Sequence, residues 1–151
     1  MIYEGKVTIN ASQRVVWDLL LDIDQFSMCM PGIENISKVD EQTFQGVMKA
    51  TIGPISGEFS FLARTVDTNP PTELRAEVEG SDSLTKSTVT SDVNMCLVAL
   101  SPNQTELAYR AVVEIKGRLA IIGDMVFRAA GAQVIQEFFK RLKNKVEGAA
   151  A

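Results

Sequence analysis

The residues that invite a chemical reading are few. Cys29 stands in the stretch Cys29-Met30-Pro31-Gly32-Ile33-Glu34, and Cys96 lies far along the chain with no CxxC spacing. Two thiols without further soft ligands cannot assemble a zinc or iron–sulfur site. Histidine is absent altogether. That removes the usual general base near neutral pH, the usual metal ligand, and any Ser-His or Cys-His nucleophile pair. A reactive thiol needs a cationic neighbour or a helix N-terminus, whereas Cys29 follows an expected helix and two aspartates, Asp22 and Asp24. We expect it to be inert, with Pro31-Gly32 turning the chain into the next strand. No carboxylate pair shows a spacing that demands acid–base work, and Asp92, Asn94 and Glu114 are expected to be solvated. The polar groups left for chemistry are Tyr109 and the run Ser87-Thr88-Val89-Thr90.

Composition narrows the choice further. The 151 residues are 46% hydrophobic and 23% charged, which suits one globular domain with a sizeable core. The net charge of −4 argues against a nucleic-acid partner, which would need a basic face. Two distant cysteines make no disulfide framework, so a reducing, cytoplasmic setting is the expectation. No run of ~20 apolar residues is present to span a membrane. The opening Met1-Ile2-Tyr3-Glu4-Gly5-Lys6 lacks the charged-then-apolar layout of a signal peptide.

The elements follow from periodicity. Ile2 to Asn10 reads as a strand, and Ser12 as the N-cap of a helix over about 13–21 in which Val16, Leu19, Leu20 and Ile23 recur at helical spacing beside Trp17. A short helical or irregular piece through Phe26 is stopped by Pro31-Gly32. Alternation then predicts strands over 43–52, from Ile55 onward after a Gly53-Pro54 turn, over 74–79, over about 84–100, and through Leu107, Tyr109, Ala111, Val113 and Ile115. The phase of the fourth of these stays open, because Cys96 and Val98 share one face and Met95 and Leu97 the other. From about Asp124 to Val146, Phe127, Gly131, Val134, Ile135, Phe138, Phe139, Leu142 and Val146 make one apolar stripe of a long helix. Asp124 near its start and Lys140, Arg141, Lys143 and Lys145 near its end suit the helix dipole. The expected fold is α+β: a curved antiparallel sheet wrapped around a long C-terminal helix, with two short helices after the first strand. It forms one domain over residues 1–147, and 148–151 read as a disordered tail.

The chain resembles, over nearly its whole length, the carbon monoxide dehydrogenase G-subunit family of the START-like (SRPBCC, helix-grip) superfamily. The residues that carry the resemblance are Gly5, Val16-Trp17 with Leu20 and Asp22, Cys29-Met30-Pro31-Gly32, Gly46, Gly53-Pro54-Ile55, Gly117-Arg118-Leu119-Ala120, Gly123 and the Phe-rich closing helix. The resemblance implies a helix-grip fold with an internal apolar cavity. It also implies an accessory role, without catalysis or a cofactor of its own, beside the subunits of a molybdenum-containing hydroxylase. Members are held to help such enzymes reach the membrane or its quinone pool, which makes a hydrophobic molecule such as a quinone the expected ligand. Some members carry a C-terminal extension for membrane attachment. This sequence stops right after the helix and departs from them, so any membrane contact is expected to be peripheral, at the inner face.

Phe44, Met48, Phe59, Phe61, Leu107, Tyr109, Phe127, Val134 and Phe138 are the candidate ligand-binding residues. Read from the residues alone, the same set equally describes a filled core. A Tyr109 hydroxyl that selects a head group and one that bonds to backbone or water also both stay open. The segment Arg118-Leu119-Ala120-Ile121-Ile122 packs under the sheet rim or forms a greasy lip at the cavity mouth. The run Lys140 to Lys145 complements the helix dipole or meets anionic lipid or an acidic partner. The competing functional class is a cyclase- or dehydratase-like enzyme for a hydrophobic polyketide or aromatic substrate, with Tyr109 or a hydroxyl from Ser87 to Thr90 as its inward polar group. A protein-interaction adaptor with a filled core is the third possibility.

Overall fold

The computed structural model describes residues 1–52, 55–83 and 85–149. The Gly53-Pro54 turn, Leu84 and the last two alanines of the tail lie outside them. The order of elements is β1 (Ile2–Ile9), α1 (Gln13–Leu21), α2 (Ile23–Cys29), β2 (Ile33–Lys38), β3 (Thr43–Ile52), β4 (Ile55–Asn69), β5 (Glu73–Asp82), β6 (Ser87–Ser101), β7 (Gln104–Lys116), a 3-10 turn (Arg118–Ile122) and α3 (Asp124–Ala149).

Local chemistry sets the early corners. The Ser12 hydroxyl accepts the Val15 N–H at 3.2 Å and opens α1, which buries Val16, Trp17, Leu19 and Leu20. Asp22 ends one helix and begins the next. Its backbone N–H donates to the Asp18 and Leu19 carbonyls, while its carboxylate accepts the Asp24 and Gln25 N–H groups at 3.0 and 3.2 Å. Two helices separated by one residue form a rigid elbow over one end of the sheet. Gly32, at φ +81°, follows that elbow, and a Cβ there would strike the Lys49 carbonyl oxygen. The corner at Pro31-Gly32 therefore depends on glycine.

The seven strands pair antiparallel in the order β1-β7-β6-β5-β4-β3-β2. Consecutive hairpins build β2 to β7, and β1 closes onto β7 with Ile2 opposite Val112 and Ile9 opposite Thr105. Alternation through the register puts Phe44, Gly46 and Met48 on the inner face with their partners Ala63, Phe61 and Phe59. The open phase of β6 is settled: Met95 and Leu97 face inward opposite Tyr109 and Leu107, and Cys96 and Val98 face out. β2 is the element that alternation does not reveal. Its register shifts between Glu34 and Ser37, and Asn35 sits at φ +54°, so no two-residue period survives in six residues.

The apolar interior comes in two parts. The larger gathers Ile9, Ala11, α1, Cys29, Leu97, Leu107, Phe138, Phe139, Leu142 and Val146. The smaller, toward the 3-10 turn, holds Phe59, Leu119 and Phe127, with Met1, Val89, Ile115 and Ile122 packed against it. Two close fits join β1 to its neighbours, one to α3 and one to β7. The Tyr3 ring lies on Gly131 and its hydroxyl donates to the Phe127 carbonyl oxygen, while the Tyr109 hydroxyl lies over Gly5.

Candidate functional site

Between the two parts of the interior, the inner face of the sheet is not sealed. Ala76, Val78, Gly80, Ser91, Val93, Ala111 and Val113 occupy consecutive inward positions of β5, β6 and β7, and all are only partly buried. A filled helix-on-sheet core would leave small side chains such as these without exposure. Their size is part of the cause: none of these seven positions carries a side chain larger than valine. This apolar space is the candidate site.

The nine candidate residues divide around it. Leu107 and Phe138 are packed within the larger part of the interior, at 0% and 5% exposure, and Phe59 and Phe127 within the smaller, at 8% and 7%. Phe44, Met48, Phe61, Tyr109 and Val134 stay partly exposed. The inward residues of β5 and β6, which the candidate set leaves out, also border the space. Their signal in the sequence is a run of small inward residues, Ala76, Val78, Gly80, Ser91 and Val93.

One wall is aromatic. Ring centroids link Phe61 to Phe44 at 6.1 Å, Phe44 to Phe26 at 6.3 Å and Phe26 to Phe138 at 5.3 Å. The chain of rings continues from Phe138 to Phe139 and from Phe139 to Tyr109, both at 5.2 Å. Tilted and edge-on pairs at these separations attract beyond their area of burial. The wall thus braces β3, β4, α2, α3 and β7 at one end of the space.

Polar groups near the space are sparse. Tyr109 has no hydrogen-bond partner among the described residues. Ser87 is already committed: its hydroxyl accepts the Leu119 N–H at 3.0 Å and donates to the Thr85 carbonyl oxygen at 3.3 Å. Thr88 and Thr90 are exposed on the outer face. There, too, Arg75 grips Asp92 at 2.7 and 3.0 Å, and this hydrogen-bonded pairing holds the Asp92 carboxyl below the usual carboxylate range. Among the described residues no group of three Cys, Asp or Glu side chains is placed to hold a metal ion. No helix among them is long and apolar enough to cross a membrane.

The segment 118–122 is divided in its burial. Leu119 is buried at 1% under the sheet rim, while Ile121 projects at 85% exposure, as does Met125 just beyond it. Cys29 closes α2 fully buried, and burial pushes its thiol pKa up against the smaller opposing pull of Lys145 and Arg141. A raised pKa keeps the thiol protonated at neutral pH. Any stability this contributes is complete below the free-thiol pKa and declines as pH rises past it. Titration with a disulfide reagent at neutral pH is expected to label exposed Cys96 at once and Cys29 only after unfolding. Rapid labelling of both thiols in the native protein would contradict this burial.

Solved structures share the architecture. A conserved protein from Geobacillus kaustophilus superposes with a TM-score of 0.91 at 20% identity, covering 99% of this chain and 97% of that one. A START superfamily protein from Mycobacterium smegmatis gives 0.75 at 15% identity, with 98% of each chain covered. The Zhui aromatase/cyclase from Streptomyces gives 0.73 at 13% identity, covering 100% of this chain and 96% of that one. At these identities the likeness is one of fold, the START-like helix grip. No curated protein sequence matches the chain. The family model for the carbon monoxide dehydrogenase G subunit (CoxG) matches residues 5–147, from the opening strand to the end of the gripping helix, and the chain belongs to that family.

Proposed function

We propose that this chain is a non-catalytic binding module. It holds a hydrophobic molecule such as a quinone between the sheet and α3, as an accessory to a molybdenum-containing hydroxylase. On this reading it couples that enzyme to the membrane quinone pool from the cytoplasmic side, through peripheral contact. The observation that carries the proposal is the divided interior, with a band of partly exposed small, mostly apolar residues between its two parts. Burial of an isoprenoid tail there gains ~0.8 kcal/mol per methylene, against ~0.5–1.5 kcal/mol for one neutral hydrogen bond to a head group. Affinity then resides in the tail, and Tyr109 selects among heads.

Titration with menaquinone and ubiquinone tests this directly. Saturable binding is expected, with a loss of roughly a hundredfold when Val93→Trp fills the space, because the indole ring displaces methylenes of the tail from their apolar surroundings. Absence of saturable binding to either quinone, or an unchanged affinity in Val93→Trp, defeats the proposal. Capture of the large, medium and small hydroxylase subunits tests the accessory role separately. The unpartnered Tyr109 hydroxyl supports the competing reading, a cyclase-like enzyme. Turnover of an aromatic polyketide that disappears in Tyr109→Phe while binding persists decides for that reading.

A further inference from the structure

A second concavity meets the space just described at Tyr109 and Phe139 and lies between the free edge of the sheet and α3. It has a volume of about 690 Å³, within the range of small-molecule sites. Its lining comes from β1, from Tyr109 of β7 and from one face of α3, and takes nothing from β2 to β6. Val7, Ala132, Ile135 and the Phe139 ring make the floor and walls, and Lys140 and Lys143 stand one turn farther along the helix.

The charges point to the occupant. Neither Lys140 nor Lys143 has a carboxylate partner among the described residues, although the neighbouring Arg141 pairs with Glu137 at 3.0 Å. The acid in the lining, Glu4, is engaged by Arg110 at 3.6 Å on the strand edge. The Tyr3 hydroxyl is occupied by the Phe127 carbonyl oxygen, whereas that of Tyr109 has no partner among the described residues. An apolar trough ending in two unpaired ammonium groups matches a single alkyl chain with an anionic head.

We propose that this groove binds a long-chain fatty acid as its carboxylate. The chain lies along Val7, Ile135 and Phe139, and the head rests between Lys140 and Lys143. The groove shares Tyr109 and Phe139 with the aromatic wall of the inner space, but the rest of its lining is distinct, and its occupancy does not depend on whether a quinone is bound there.

Calorimetric titration of the full chain with palmitate, below its micelle concentration, tests the proposal. One saturable site is expected, with methyl palmitate binding about tenfold weaker or worse. Lys140→Glu/Lys143→Glu is expected to weaken palmitate about tenfold and leave the methyl ester unaffected, as the loss of exposed charge pairs predicts. Ala132→Trp, at an exposed helix position, fills the trough and abolishes palmitate binding without unfolding the chain, as circular dichroism can verify. Equal affinity for acid and ester overturns the proposal, as does indifference to the lysine reversals or to Ala132→Trp. Binding of hexadecyl phosphate without palmitate overturns the choice of carboxylate. One-for-one displacement of palmitate by a quinone overturns the separate site.

Discussion

Trp17→Ala is expected to destabilise the protein by roughly 3–5 kcal/mol, the range for truncating a large buried aromatic. Trp17 is 2% exposed and lies in the larger part of the interior, where α1 meets the sheet and the C-terminal half of α3. The α1–α2 elbow is locked by Asp22, so the helices cannot simply settle into the vacancy. For a domain whose total stability is of the order of 5–15 kcal/mol, such a loss is a large fraction of the whole. Urea denaturation measures it, as a lower midpoint with an unchanged slope. A loss below about 1 kcal/mol would mean that α1 collapses inward freely and that the elbow is not rigid.

Gly117→Ala is expected to cost about 2–4 kcal/mol, from two sources that a companion substitution separates. Gly117 sits at φ +95°, ψ −160°, and Gly123 at φ +97°, ψ 156°, both in a region of backbone space occupied almost only by glycine. At Gly117 an added Cβ would press on the Lys86 carbonyl oxygen and lie 2.8 Å from the Ser87 Cα, whereas at Gly123 it would meet nothing within 4 Å. Gly123→Ala therefore carries backbone strain alone, about 1–3 kcal/mol. Gly117→Ala adds the displacement of Ser87, whose hydroxyl holds the Leu119 N–H and with it the buried Leu119 side chain. Equal losses in the two variants would show that the clash at Ser87 relaxes at no cost.

Periodicity makes most of the architecture legible. The stripe from Phe127 to Val146 identifies the gripped helix, and the alternation in β3, β4 and β7 identifies the dry face of the sheet. Ser12 marks the start of α1 because its cap is a local interaction between residues three apart. β2 is not legible, since a register shift and the left-handed Asn35 break its period. The candidate site is legible in kind, as an apolar set, but not in its partition. Whether Phe59 or Phe61 sits in a sealed cluster depends on what α3 and the 3-10 turn place above each, and no spacing within β4 encodes that. The groove at Lys140 and Lys143 depends on which side of α3 meets the sheet edge, a tertiary fact that follows only once Tyr3 and Gly131 have docked.

The pairing of β1 with β7 also governs the order in which the protein can form. The backbone amine of Met1 donates to the Val113 carbonyl oxygen 112 residues away, so β1 is synthesised long before the strand it pairs with. Non-local pairing of this kind slows folding, because the entropy of closing the long loop is lost before its contacts form. During synthesis, β1 and the apolar face of α1 emerge with nothing to cover them until β7 and then α3 have left the ribosome. The interval leaves Trp17 and the unpaired edge of β1 open to chaperones and to other nascent chains.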